Sequence, residues 1–242
     1  MSFLFRDGDA WNANLLTNAD KFIGDLSEWD VRSVTAMKFT FSKATAFNSD
    51  ISKWDVSKVT TMSNMFNGAT SFNSDLSNWD VSSVTTMGWM FDGATKFNDD
   101  ISKWVTSKVT NMQSMFHGAT SFNHDVSKWD VSEVTNMDSM FNGATSFNRD
   151  VSKWDVSKVS NMAYMFKGAK SFAQTLCGTR WTGSTADKTE MFINSQGKIG
   201  STPSDCPGSY VQIITTRTEP ISTTTTGTAT HAPNHNRNPD NI

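Results

Sequence analysis

FNSDISKWDVSKVTTMSNMFNGATS, residues 47–71, recurs along the chain with a period of 25. Aligned at that period, Trp29, Trp54, Trp79, Trp104, Trp129 and Trp154 fall in one column. Phe22, Phe47, Phe72, Phe97, Phe122, Phe147 and Phe172 fill a second, and Phe41, Phe66, Phe91, Phe116, Phe141 and Phe166 a third. A unit this short cannot bury its own apolar face, so copies must stack and share one core. With layers about 4.8 Å apart, six copies make a core roughly 30 Å long.

Two spacings appear inside the unit. Ile51, Trp54 and Val56 follow L-x-x-L-x-L, the pattern of the short strand in a leucine-rich repeat. Val59, Met62, Phe66 and Ala69 step by three and four residues, which predicts a helical turn or short helix ended by Asn67 and Gly68. The expectation is therefore an α/β leucine-rich-repeat-type solenoid with one short strand and one short helix per coil. An all-β coil is the alternative, because so short a helix depends on the stack.

The period sets the domain limits. Residues 22–171 form six repeats, and the pattern decays over 172–208, which reads as a C-terminal cap. Within 1–21, Trp11, Leu15 and Leu16 suit a cap over the first coil, or the segment continues a longer array. From 209 to 242 the aromatic columns vanish and Ser and Thr dominate, the composition of a disordered tail. Cys177 and Cys206 both lie in the cap segment. They either pair, stabilising the cap by about 3 kcal/mol, or remain free thiols.

Bulk composition removes several functions. Lys plus Arg number 21 against 24 Asp plus Glu, a net charge of −3 with no basic block, so no nucleic-acid partner is expected. No apolar run is long enough for a membrane-spanning segment. The opening MSFLFRDGDAWNANLL places Asp7 and Asp9 where an export signal would stay apolar. His117 and His124 are close in sequence, and His231 with His235 form an H-x-x-x-H spacing in the tail. Neither pair brings the companions that a nucleophile or zinc site requires, so no catalytic residue, metal or cofactor is expected.

The WDVSxVTxMxxMFxGA core of these copies resembles the repeat of the BspA-like leucine-rich-repeat surface proteins of bacteria and unicellular algae. The resemblance covers about residues 22–192. It implies a secreted or cell-surface protein of adhesive or binding character, without catalytic residues. It also implies a Cys-bearing cap, hence a Cys177–Cys206 disulfide.

The polar columns raise narrower questions. Asp25, Asp50, Asp75, Asp100, Asp125 and Asp150 form one ladder, and Asp30, Asp55, Asp80, Asp130 and Asp155 another that Val105 interrupts. Stacked carboxylates need either calcium or backbone donors from their own turns, and the turn reading is the simpler. Rows such as Thr35, Thr60, Thr85, Thr110 and Thr135 suit turn-capping hydroxyls, with ice or mineral contact as a rival. Asn48, Asn73, Asn98, Asn123 and Asn148 suit a buried asparagine ladder between coils.

Deviations from the repeat mark candidate contacts. Phe39, Asn64, Trp89, Ser114, Ser139 and Tyr164 share a column that tolerates any residue and is expected to face solvent, which makes Trp89 a candidate anchor. Lys53, Lys103 and Lys128, with Asp55, Asp80 and Asp130, would form a mixed-charge face. The expected function is an extracellular or cell-surface binding or adhesion module for a protein or glycan ligand. A structural spacer or coat protein is the alternative.

Overall fold

The structure, a computed structural model, describes residues 25–202 and 204–206. Contacts divide the chain into Met1–Ser209 and Tyr210–Ile242, and the described residues all belong to the first unit. The expected N-terminal cap and the tail lie outside the described residues.

The fold is compact and repetitive, with little regular secondary structure. Each coil is a chain of tight turns. In the unit of residues 47–71, Trp54 N–H donates to the Ile51 carbonyl and Val59 to Val56. Met65, Asn67, Ala69 and Phe72 then donate to Met62, Asn64, Phe66 and Ala69. Except for the Asn64–Asn67 turn, both ends of these turns are apolar and buried. A turn separates its ends by three residues, so the step read as helical is the turn's own spacing.

The strand and helix expected in every coil are therefore absent from the described repeats. Neighbouring coils compete for the backbone donors that a helix would use. The N–H groups of Met62, Asn64, Phe66 and Gly68 donate to the carbonyls of Thr86, Gly88, Met90 and Asp92 in the next coil, at 2.6–3.1 Å. Only the alternate residues are left to close turns. This alternation needs a left-handed residue at intervals, met by Asn64 (φ 59) and Gly68 (φ 71) as the third residues of their turns. Strand character is reduced to single-residue parallel bridges running Ala36, Thr61, Thr86, Asn111, Asn136, Asn161, Asp187.

The apolar columns meet in one core. Within a coil Phe66 and Phe72 stack at 3.8 Å between ring centroids, and Phe66 lies 5.6 Å from Phe91 in the next coil. The pattern persists to Phe166, which stacks on Phe192 at 5.7 Å. Burying each such ring contributes about 1.5–3 kcal/mol. The indoles are also polar links: Nε1–H of Trp54, Trp79, Trp104, Trp129 and Trp154 donates to the carbonyl of Leu26, Ile51, Leu76, Ile101 and Val126 in the preceding coil.

At the C-terminal end the period lengthens but the columns persist. Asp187 bridges Asn161, and Trp181 donates to the Ser152 carbonyl. The added residues are absorbed around α1 (Thr179–Thr182), which follows β1 (Thr175–Leu176). β2 (Lys198–Ile199) pairs parallel with β1, Thr175 opposite Lys198. Cys177 and Cys206 form a disulfide with Cα atoms 5.8 Å apart. A Cβ at Gly200 would lie 2.2 Å from the Cys206 sulfur, so glycine there makes room for the bridge.

Candidate functional site

The aspartate ladders begin as local chemistry. Asp55, Asp80 and Asp130 accept the N–H of Ser57, Ser82 and Ser132 two residues on, and the Ser57 and Ser132 hydroxyls add a second bond at 2.6 Å. The Ser hydroxyl and then its N–H hold each of these carboxyls below its ordinary pKa. Asp50, Asp75, Asp100 and Asp125 do the same for Ser52, Ser77, Ser102 and Ser127. The rows are thus turn-capping groups repeated by the stack. Among the described residues no three metal-ligating side chains come together.

Two other rows differ from expectation in detail. The Thr60, Thr85, Thr110 and Thr135 hydroxyls do not cap their own turns but donate to the carbonyl of the same column one coil earlier. Each asparagine side-chain oxygen accepts the next coil's N–H, as Asn73 N–H to Asn48 Oδ1 at 2.7 Å. That ladder is not buried, for Asn48, Asn73, Asn98 and Asn148 are exposed. One coil's amide oxygen reaches the next coil's N–H along the outer surface, which needs no burial.

Trp89 is half-buried rather than fully exposed; its left-handed backbone (φ 57) sits at a turn corner, and its main-chain N–H donates to the Gln113 carbonyl. The whole column is left-handed, from Phe39 to Tyr164. Its variability had suggested simple exposure, yet Ser114 in it is 7 % exposed. No glycine in the column announced the conformation.

Lys53, Lys103, Lys128, Asp55, Asp80 and Asp130 are all exposed. Three of them converge where the repeat breaks. In the fourth coil WVTS replaces WDVS, and an open depression of about 530 Å³ lies there, lined by Ser102, Lys103, Trp104, Val105, Thr106, Lys128 and Asp130. Val105 is 54 % exposed where its neighbours in the column carry carboxylates. Thr106 takes the buried valine position and its hydroxyl donates to the Asp130 carbonyl at 2.8 Å. The substitution adds apolar surface and removes a negative charge beside Lys103. Asp130 keeps its own carboxylate tied to Ser132. Trp89 is not part of the lining. Val105 was legible in the sequence as an interruption of the aspartate column, the signal that marks this depression.

A second polar group runs along one column that looks unremarkable in sequence. His117 Nδ1 lies 2.7 Å from Asp92 Oδ1, and Asn67 donates to Asp92 Oδ2 from the other side. Hydrogen bonding to Asp92 raises the His117 pKa against the opposing effect of burial.

A profile of the family described as "Mycoplasma protein of unknown function, DUF285" matches residues 12–116 and again residues 89–202. No curated protein and no solved structure matches the chain. No helix among the described residues is long and apolar enough to cross a membrane.

Proposed function

We propose that this chain, which belongs to the DUF285 family, is a non-catalytic binding module that acts outside the cell or at its surface. Its repeats are of the BspA-like, leucine-rich-repeat type of solenoid, with turns in place of strand and helix. The observation that carries the reading is the depression at Val105. A scaffold that repeats one turn in coil after coil departs from it here, and the departure brings an exposed apolar side chain between Lys103 and Lys128. An exposed hydrophobe flanked by charge is a common feature of contact sites. The Cys177–Cys206 disulfide supports an oxidising compartment. The partner is a protein or glycan that sets an apolar edge on Val105.

The test is a protein and glycan binding screen of the full chain beside the double variant Val105→Asp, Thr106→Val, which rebuilds the repeat. Binding by the parent and its loss in the folded double variant support the reading. A parent that binds nothing favours a spacer, and binding untouched by the substitutions moves the site elsewhere.

A further inference from the structure

The break in the repeat at Val105 leaves donors whose use the other coils display. Ser57, Ser82, Ser132 and Ser157 donate their N–H to the carboxylates of Asp55, Asp80, Asp130 and Asp155 at 3.0–3.2 Å, and the Ser57 and Ser132 hydroxyls add a bond of 2.6 Å. The fourth coil keeps this turn, since Val109 N–H donates to the Thr106 carbonyl as Val59 does to Val56. It also keeps the serine, Ser107, but carries Val105 in place of the aspartate. Ser107 is exposed, and neither its N–H nor its hydroxyl has a partner among the described residues. Valine ends one bond short of where aspartate places its oxygens and offers these donors no acceptor.

The surroundings suit a carboxylate brought from outside. Lys103 and Lys128 line the depression, and neither stands in an ion pair among the described residues. Asp80 and Asp130, one coil away on either side, repel an incoming carboxylate. The unbroken parts of the row bear the same repulsion: Asp55 acts on Asp80 and Asp155 on Asp130, yet the serine donors still hold both carboxyls below their ordinary pKa. Both bonds from Ser132 go to Asp130 Oδ1, which leaves Oδ2 to accept from a ligand N–H. Val105, 54 % exposed, offers contact to an aliphatic group. The lining presents no open aromatic face on which a sugar ring could stack, for Trp104 is 4 % exposed.

We infer that the ligand of this depression is an acidic peptide segment, whose Asp or Glu carboxylate takes the Ser107 donors in place of the missing aspartate while a neighbouring aliphatic side chain rests on Val105. The inference rests on the reading of the depression as the binding site and adds the chemistry of its partner. Hydrogen bonds to an ionised group are about twice as strong as neutral ones, so the acid is what the site selects.

Amide NMR of the full chain titrated with acetyl-Leu-Asp-Leu-amide tests it. Acetyl-Leu-Asn-Leu-amide and sodium glucuronate serve as comparison probes, and Val105→Asp as the variant. That variant restores the residue the other coils carry, so it keeps the turn and fills the Ser107 donors from within. The Asp peptide is expected to shift the Ser107 amide of the parent saturably, with a Kd on the order of 1 mM. The Asn peptide, and the Asp peptide with Val105→Asp, should each bind at least about tenfold more weakly. A Ser107 amide unmoved by about 10 mM Asp peptide, where such a site is mostly filled, overturns the inference. So does an equal response to the Asn peptide, or a tighter response to glucuronate, which assigns the site to acidic sugars. A partner that is found in the binding screen and lost in Val105→Asp, Thr106→Val, while Ser107 ignores the Asp peptide, leaves the binding reading standing and removes only the acidic peptide.

Discussion

The indole Nε1–H of Trp79 donates to the main-chain carbonyl of Ile51 at 3.1 Å, and that carbonyl also accepts the N–H of Trp54. One oxygen thus closes a turn within its coil and holds the coil above. Trp79→Phe keeps the turn bond and loses the inter-coil one. It should cost about 1 kcal/mol for the hydrogen bond plus the loss of ring volume, and Trp79→Ala about 3–5 kcal/mol. Urea denaturation of the two variants checks the order.

Left-handed corners set a second expectation. Gly118 has φ 64, and an added Cβ would rest 3.7 Å from Gly93, so space permits a side chain but the backbone disfavours it. Gly118→Ala should destabilise by about 1–2 kcal/mol. Ser139, at φ 56, should gain stability as Asn, which tolerates that conformation better. Thermal melts of both variants read the opposite signs.

His117 titrates above its ordinary value because Asp92 accepts from it. A group with a raised folded-state pKa contributes stability below its unfolded value near 6.5, and that contribution fades as pH rises through the folded value. The imidazole proton shifts of His117 followed by NMR should therefore give a midpoint above the ordinary histidine value near 6.5, falling back toward it in Asp92→Asn. A His117 midpoint indifferent to Asp92→Asn would contradict the pairing.

The capping aspartates act in the opposite direction. Asp80 and Asp130 are depressed by the serine hydroxyl and N–H that bind them, and Asp30 falls to about 2 beside Arg32. Their contribution is complete above an unfolded carboxyl value near 3.9 and is lost as pH falls through the depressed values. The urea midpoint should be level from about pH 7 to 5 and drop below about pH 4. Asp80→Asn should shallow that drop.

Reducing the Cys177–Cys206 bridge releases a constraint across a separation of 29 residues. The chain-entropy estimate for such a loop is about 3–4 kcal/mol. In a stack each coil contacts only its neighbours, so the loss should be local. Hydrogen exchange should quicken in β1 and β2 on reduction while the Trp79 coil stays protected.

The period, the buried columns and the positions of Trp54, Met62, Phe66 and Phe72 in the core were legible in the sequence. Stacked layers bury like on like, so burial is written as recurrence at one spacing. Val105 was legible for the same reason, as a break in a column. The pairing of His117 with Asp92 was not, because both belong to a column of mixed residues whose spatial order only the stack reveals.

Conformation inside the coil was decided by tertiary structure. Val59, Met62, Phe66 and Ala69 carry a spacing that a helix and a run of turns share, and no local signal separates them. The neighbouring coil does so by taking every second N–H from Met62 to Gly68, which no helix can spare. Recurrence along the chain specified what is buried, and hydrogen bonds between coils specified the backbone that buries it.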